Sequence, residues 1–139
     1  MLHQKYDEAI YLLTSILNDK ENWGEENIYV CGHLGDCYAL RQQWDKAIKA
    51  YVRAFQYGTP KGEICNAIAH ALMKQQKYEE AIIWYKTTTK IPLPTQSALY
   101  NPSSYTWIPY LQMCVCYNHL GDYEKASYYN EIAAKYIPQ

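Results

Sequence analysis

Three residues carry side chains that could act together as metal ligands or a proton relay: His33, Asp36 and His70. Imidazole and carboxylate are common ligands of divalent metals and common proton carriers near neutrality. They would converge only if the elements bearing them stacked side by side, and structural or surface histidines are the simpler reading, so no metal site is expected. The five cysteines, Cys31, Cys37, Cys65, Cys114 and Cys116, include no C-x-x-C pair. An odd number without that spacing suggests reduced thiols in a cytoplasmic protein rather than a disulfide framework. Cys31 and Cys65 lie 34 positions apart in equivalent slots, which suits small core residues. Cys114 and Cys116 would point to different faces of a helix and so serve packing better than metal binding. No G-x-G-x-x-G, Walker A, G-x-S-x-G, H-E-x-x-H or D-x-D motif is present. Gly32-His33-Leu34-Gly35 sits inside a helical pattern and is no phosphate loop. The residues themselves therefore point to no catalytic, cofactor-binding or metal-binding group.

Composition narrows the classes further. The chain has 139 residues, 49% of them hydrophobic, and a formal net charge of -1. That balance lacks the basic face that nucleic acid or an anionic membrane surface requires. Apolar runs such as Ala81 to Trp84 are too short to cross a bilayer. Asp7 and Glu8 interrupt the only N-terminal stretch that could resemble a signal peptide. The aromatic content is skewed, with 16 Tyr and 4 Trp against one Phe.

The elements that must position these side chains emerge from an internal repeat. Tyr6-Asp7-Glu8-Ala9-Ile10 recurs as Trp44-Asp45-Lys46-Ala47-Ile48, Tyr78-Glu79-Glu80-Ala81-Ile82 and Tyr123-Glu124-Lys125-Ala126-Ser127. The alanines are 38, 34 and 45 positions apart. Around the middle spacing, Leu34 maps to Ile68, Gly35 to Ala69 and Tyr51 to Tyr85, and the longer offset carries Ala69 to Cys114. Apolar residues at helical spacing, such as Ala47, Ile48, Tyr51, Ala54 and Phe55, predict amphipathic helices. Small residues at Gly35, Ala69 and Cys114 would let paired helix axes approach to roughly 8–10 Å.

Leu34-Gly35-x-x-Tyr38 followed by Ala47, Tyr51 and Ala54 resembles the tetratricopeptide repeat, a helix-turn-helix unit of about 34 residues. The resemblance implies an all-α fold, a right-handed superhelix of antiparallel hairpins with about seven helices. Expected helices run over 3–18, 27–41, 44–57, 62–76, 78–90, 107–120 and 122–137. A single domain over 1–139 then holds repeats at 28–61, 62–95 and 107–139, with an irregular Pro-rich insertion at 91–106. Pro60 and Pro109 fit first helical turns, and Thr106 is a candidate cap. Two slots depart from the pattern. Leu72 replaces the first-helix Tyr, and Asn130 stands where Tyr51 and Tyr85 stand, either hydrogen-bonded in an apolar slot or marking a rotated last helix.

Residues 1–18 read as the second helix of a repeat whose first helix is missing, leaving Leu13 and Ile16 in want of a neighbour. The expectation is a piece of a longer protein, with a natural solitary capping helix as the alternative. An exposed apolar strip there could drive dimerisation.

First helices of such arrays typically line a groove that receives a peptide. Carried over slot by slot, the groove candidates are Tyr29, His33, Asp36, Glu63, Asn66, His70, Met73, Ile108, Leu111, Gln112 and Val115. The slots that clamp an acidic C-terminus in chaperone-binding members hold no Lys or Arg, so no such clamp is expected. Tyr100, Tyr105 and Trp107 offer either an aromatic binding surface or, the favoured reading, an insertion folded back into its own groove.

The segment Trp107-Ile108-Pro109-Tyr110-Leu111-Gln112-Met113-Cys114-Val115-Cys116-Tyr117, with Tyr57 to Cys65 and Ala81 to Tyr85, is similar to the helical tail of bacterial family 2 glycosyltransferases. That resemblance implies an upstream domain holding the nucleotide-sugar and a divalent metal, with neither cofactor in this segment. It also implies that the tail's partner is a protein or peptide, or the parent's own catalytic domain. The alternative is a peptide-binding scaffold of a regulatory or assembly protein with no transferase activity.

Overall fold

The computed structural model describes residues 2–19, 21, 24–59, 61–94 and 101–137. Seven α-helices occur among them: α1 (Leu2–Asn18), α2 (Asn27–Leu40), α3 (Trp44–Arg53), α4 (Gly62–Lys74), α5 (Tyr78–Thr89), α6 (Trp107–Leu120) and α7 (Tyr123–Tyr136). A short 3-10 turn, Ala54–Gln56, continues α3, and a second, Pro102–Tyr105, precedes α6. No strand occurs among the described residues, and no helix there is long and apolar enough to cross a membrane. The chain divides into two compact units, Met1–Pro60 and Lys61–Gln139.

In the first unit α2 and α3 form a hairpin and α1 packs on α2. Gly35 allows that hairpin to close, because a Cβ at this position would clash with the edge of the Tyr51 ring. The Tyr51 hydroxyl donates to Asp36 Oδ1 at 2.6 Å, and its ring is 3% exposed. Cys31 and Ala47 are fully buried beside it in the apolar core. Polar ties fasten α1: Arg41 pairs with Asp7, and Arg53 Nη2 donates to the Leu17 carbonyl at 3.1 Å. The far side of α1 is open. Leu12 is 60% and Ile16 39% exposed, whereas their repeat equivalents, Ala50 in α3 and Ala54 in the 3-10 turn that continues it, are buried. Leu13 is half-buried.

The second unit holds the α4–α5 and α6–α7 hairpins, with α6 also packed on α5. Its core uses the same slots: Cys65, Ala69 and Ala81 are fully buried, and Ile68, Tyr85 and Met113 are each 1% exposed. Cys116 is fully buried while Cys114 is only half-buried, as their spacing on one helix requires.

One turn geometry closes all three hairpins. The backbone N–H of Gln43 reaches the Tyr38 carbonyl, that of Lys77 the Leu72 carbonyl, and that of Asp122 the Tyr117 carbonyl, at 2.9, 2.9 and 3.0 Å. The residue before each donor is left-handed: Gln42 at φ 59°, Gln76 at φ 63° and Gly121 at φ 81°. This is the Schellman arrangement that satisfies the last carbonyls of a helix.

Two local expectations are corrected or decided. Thr106 does not cap α6 through its side chain; its hydroxyl donates to the Pro102 carbonyl at 3.0 Å, serving the preceding 3-10 turn instead. Pro109 does sit in the first turn of α6, while Pro60 lies outside the described residues. At the end of the chain the rotated-helix reading of Asn130 holds. Asn130 is exposed, and α7 turns Tyr129 inward to stack on Tyr117, with centroids 5.5 Å apart and rings within 1° of parallel.

Candidate functional site: the face of α4 and the cleft beside it

α4 is the first helix of its hairpin. Burial of Ile64, Cys65, Ile68, Ala69 and Leu72 against the core leaves Glu63, Asn66, His70, Met73 and Lys74 on the other side. That outward face is divided in two.

Its N-terminal half is covered by the end of the insertion. The backbone N–H of Gly62 donates to the Tyr105 hydroxyl at 3.0 Å, and that hydroxyl donates to Glu63 Oε2 at 3.0 Å. The other oxygen of Glu63 accepts the Asn101 N–H at 3.2 Å. Asn66 Nδ2 donates to the Ser104 carbonyl at 2.8 Å, while its Oδ1 is buried without a partner among the described residues. A Cβ on Gly62 would lie 2.7 Å from the Tyr105 ring, so this approach needs glycine. Burial, partly offset by the Gly62 N–H and reinforced by Glu63, pushes the Tyr105 hydroxyl up to about 12. Residues 101–105 thus fold back onto the face bearing Glu63 and Asn66, as the favoured reading of the insertion expects. Trp107 opens α6 and is half-buried, and Tyr100 lies outside the described residues.

The C-terminal half stays open. His70, Met73 and Lys74 of α4, Gln76 of the turn, Tyr78 of α5, and Gln112 and His119 of α6 line a cleft of about 370 Å³. Tyr78 and His119 stack, with centroids 4.4 Å apart and rings within 4° of parallel. Met73 Sδ accepts a 3.3 Å hydrogen bond from the Tyr85 hydroxyl, which ties that thioether in place. Partial burial first, and the Lys74 ammonium second, hold the His70 imidazole below its usual 6.5.

Of the eleven groove candidates named from the sequence, the cleft gathers His70, Met73 and Gln112; Glu63 is held by Tyr105 and Asn101, and half-buried Ile108 and Val115 do not line it. Asn66 is covered by the turn, and half-buried Leu111 does not line the cleft. Tyr29, His33 and Asp36 belong to the other unit, where Tyr29 and His33 are exposed and Asp36 accepts the Tyr51 hydroxyl. Among the described residues, no three His, Cys, Asp or Glu side chains are grouped to hold a metal ion. Sequence reasoning missed Lys74, Gln76, Tyr78 and His119. A signal was present: Lys74 and His119 occupy equivalent slots 45 positions apart, one helical turn beyond His70 and Val115.

Hairpins of this slot pattern, closed by one repeated turn, define a tetratricopeptide-type protein. The model of the family described as anaphase-promoting complex, cyclosome, subunit 3 matches residues 2–88, more than half of the sequence, and the chain belongs to that family. Solved structures of MamA share the fold. MamA MSR-1 C2 superposes with a TM-score of 0.70 at 20% identity, covering 94% of this chain and 67% of its own. A second MamA crystal structure gives 0.72 at 16% identity with the same coverage, and MamA AMB-1 P212121 gives 0.68 at 19%, covering 91% of this chain and 61% of its own. No curated protein matches the sequence significantly.

Proposed function

We propose that this chain is a non-catalytic tetratricopeptide module that receives a segment of a partner protein in the open cleft beside α4. The observation that carries the reading is the division of the α4 face. Its first half is occupied by residues 101–105, and its second half presents His70, Met73 and Lys74 to a cleft that Gln112 and His119 of α6 also line. The lining is mainly polar around the Met73 thioether, and convergent polar groups of this kind orient a bound segment. All five cysteines are free, which fits a reducing, cytoplasmic setting.

Panning a displayed random-peptide library on the immobilised chain tests this reading. Selected peptides should lose at least tenfold in affinity to Met73→Glu, with helicity by circular dichroism unchanged. Peptides indifferent to that substitution would refute it.

A finer reading concerns the parent protein. The Trp107 to Tyr117 segment supports the C-terminal region of a family 2 glycosyltransferase, whose nucleotide-sugar and metal would belong to another domain. Membership of the subunit 3 family supports instead a peptide-binding scaffold of an assembly. The native gene upstream of Met1 separates them: a D-x-D-bearing α/β domain favours the first, further helical repeats the second.

A further inference from the structure

We infer that the cleft between α4 and α6 selects partner segments carrying Asp or Glu side chains, with Lys74, His70, His119 and Gln112 as the groups that hold the carboxylate. This rests on the reading above that the cleft receives a peptide.

Charge and donor chemistry carry the inference. The lining offers an ammonium at Lys74, two imidazoles at His70 and His119, two carboxamides at Gln76 and Gln112, and the Tyr78 hydroxyl. It contains no carboxylate. Every one of these groups can donate a hydrogen bond, and Lys74 forms no ion pair among the described residues. The acidic residues nearby are turned to other work or lie outside the lining. Glu63 is held by Tyr105 and Asn101 in the covered half. Asp122 caps α7 and pairs with Lys125 at 3.7 Å. Glu79 and Glu80 are exposed on α5 beyond the lining.

A carboxylate entering the cleft would therefore meet donors from both α4 and α6, with the stacked Tyr78 and His119 among the lining. Charge-assisted hydrogen bonds of this kind are roughly twice as strong as neutral ones. The slots of a terminal-carboxylate clamp hold no Lys or Arg, so the ammonium here comes from a different position, the last turn of α4. Since the donors sit on three elements rather than at one blind end, the geometry suits a side chain on a passing segment better than a chain terminus.

Three peptides decide the matter by titration against the 15N-labelled chain: hexaglutamate capped at both ends, capped hexaglutamine, and hexaglutamine with a free C-terminal carboxylate. The inference expects saturable shifts at His70, Lys74, Gln112 and His119 with hexaglutamate alone, weakening about fivefold in Lys74→Gln, the scale of one partly exposed ion pair. Capped hexaglutamine binding equally well would overturn the carboxylate and leave peptide reception standing. Equal binding of the free-terminus peptide would overturn the side-chain source. Shifts centred elsewhere, or none from any of the three while library-selected peptides still fill the cleft, would also overturn the inference without touching the function proposed above.

Discussion

At the residue scale, burial sets the chemistry of the thiols and of one histidine. Cys31, Cys65 and Cys116 are fully buried, and loss of solvation pushes each thiol up to about 11, with Arg53 easing Cys31 slightly and Glu63 adding to Cys65. Cys37 is also raised, by burial and then by Asp36. Since the thiolate is the reactive form, iodoacetamide at neutral pH should label half-buried Cys114 first. Peptide mass mapping should find Cys31, Cys65 and Cys116 unmodified until denaturant is added; early labelling of these three would contradict their placement. His70 behaves in the opposite sense. Its imidazole is held below 6.5, so it is mostly uncharged near neutrality. A bound carboxylate favours the imidazolium, so hexaglutamate binding should take up a proton and tighten as pH falls from about 7.5 to about 5.5, above the carboxyl range near 4.3. Calorimetry in two buffers of different ionisation enthalpy reads that proton directly. For the free chain the sign reverses. The unfolded imidazole binds its proton more readily, so stability declines as pH drops below about 6.5, weakly because His70 is only partly withdrawn from solvent.

At the scale of the element, three hairpins share a turn whose left-handed residue is Gln42, Gln76 or Gly121. A side chain in that region is strained relative to glycine. Gln42→Gly should therefore raise stability by about 0.5–1 kcal/mol, the left-handed strain less the entropy that glycine loses on folding, visible as an increase in Tm; a decrease would mean that the Gln42 side chain makes contacts that outweigh the strain. These hairpins were legible in the sequence because their determinants are local and periodic. The spacing of Ala47, Ala81 and Ala126 located the second helices, and Gly35 was legible as a close-approach position, though not that the Tyr51 ring is what it faces. The landing of Tyr105 on Gly62 was legible only as a preference, since it joins residues 43 apart through an aperiodic insertion. Nor did periodicity reveal the cleft in full. Slot counting picked His70, Met73 and Gln112, but Gln76 and Tyr78 reach it from a turn and the start of a second helix. Asp36 shows the converse failure, because a pattern of outward slots does not register that Tyr51 will claim the carboxylate.

For the whole molecule, two units share one slot pattern but differ in how completely they cover it. In the second unit the insertion supplies a local cover over α4. In the first, Tyr11, Leu12 and Ile16 remain 73%, 60% and 39% exposed on α1, although Ala50 and Ala54, which match Leu12 and Ile16 in the next repeat, are buried. Apolar area of this kind favours association. Sedimentation velocity should show self-association of the parent chain that Leu12→Lys with Ile16→Lys abolishes; identical behaviour of the two would show that the strip is inert. The central claim, that a partner segment seats in the α4–α6 cleft, is tested most directly by mapping backbone amide shifts with a library-selected peptide. The account predicts shifts concentrated on His70, Met73, Lys74, Gln112 and His119. A map centred on the outer faces of α5 and α7 would contradict it.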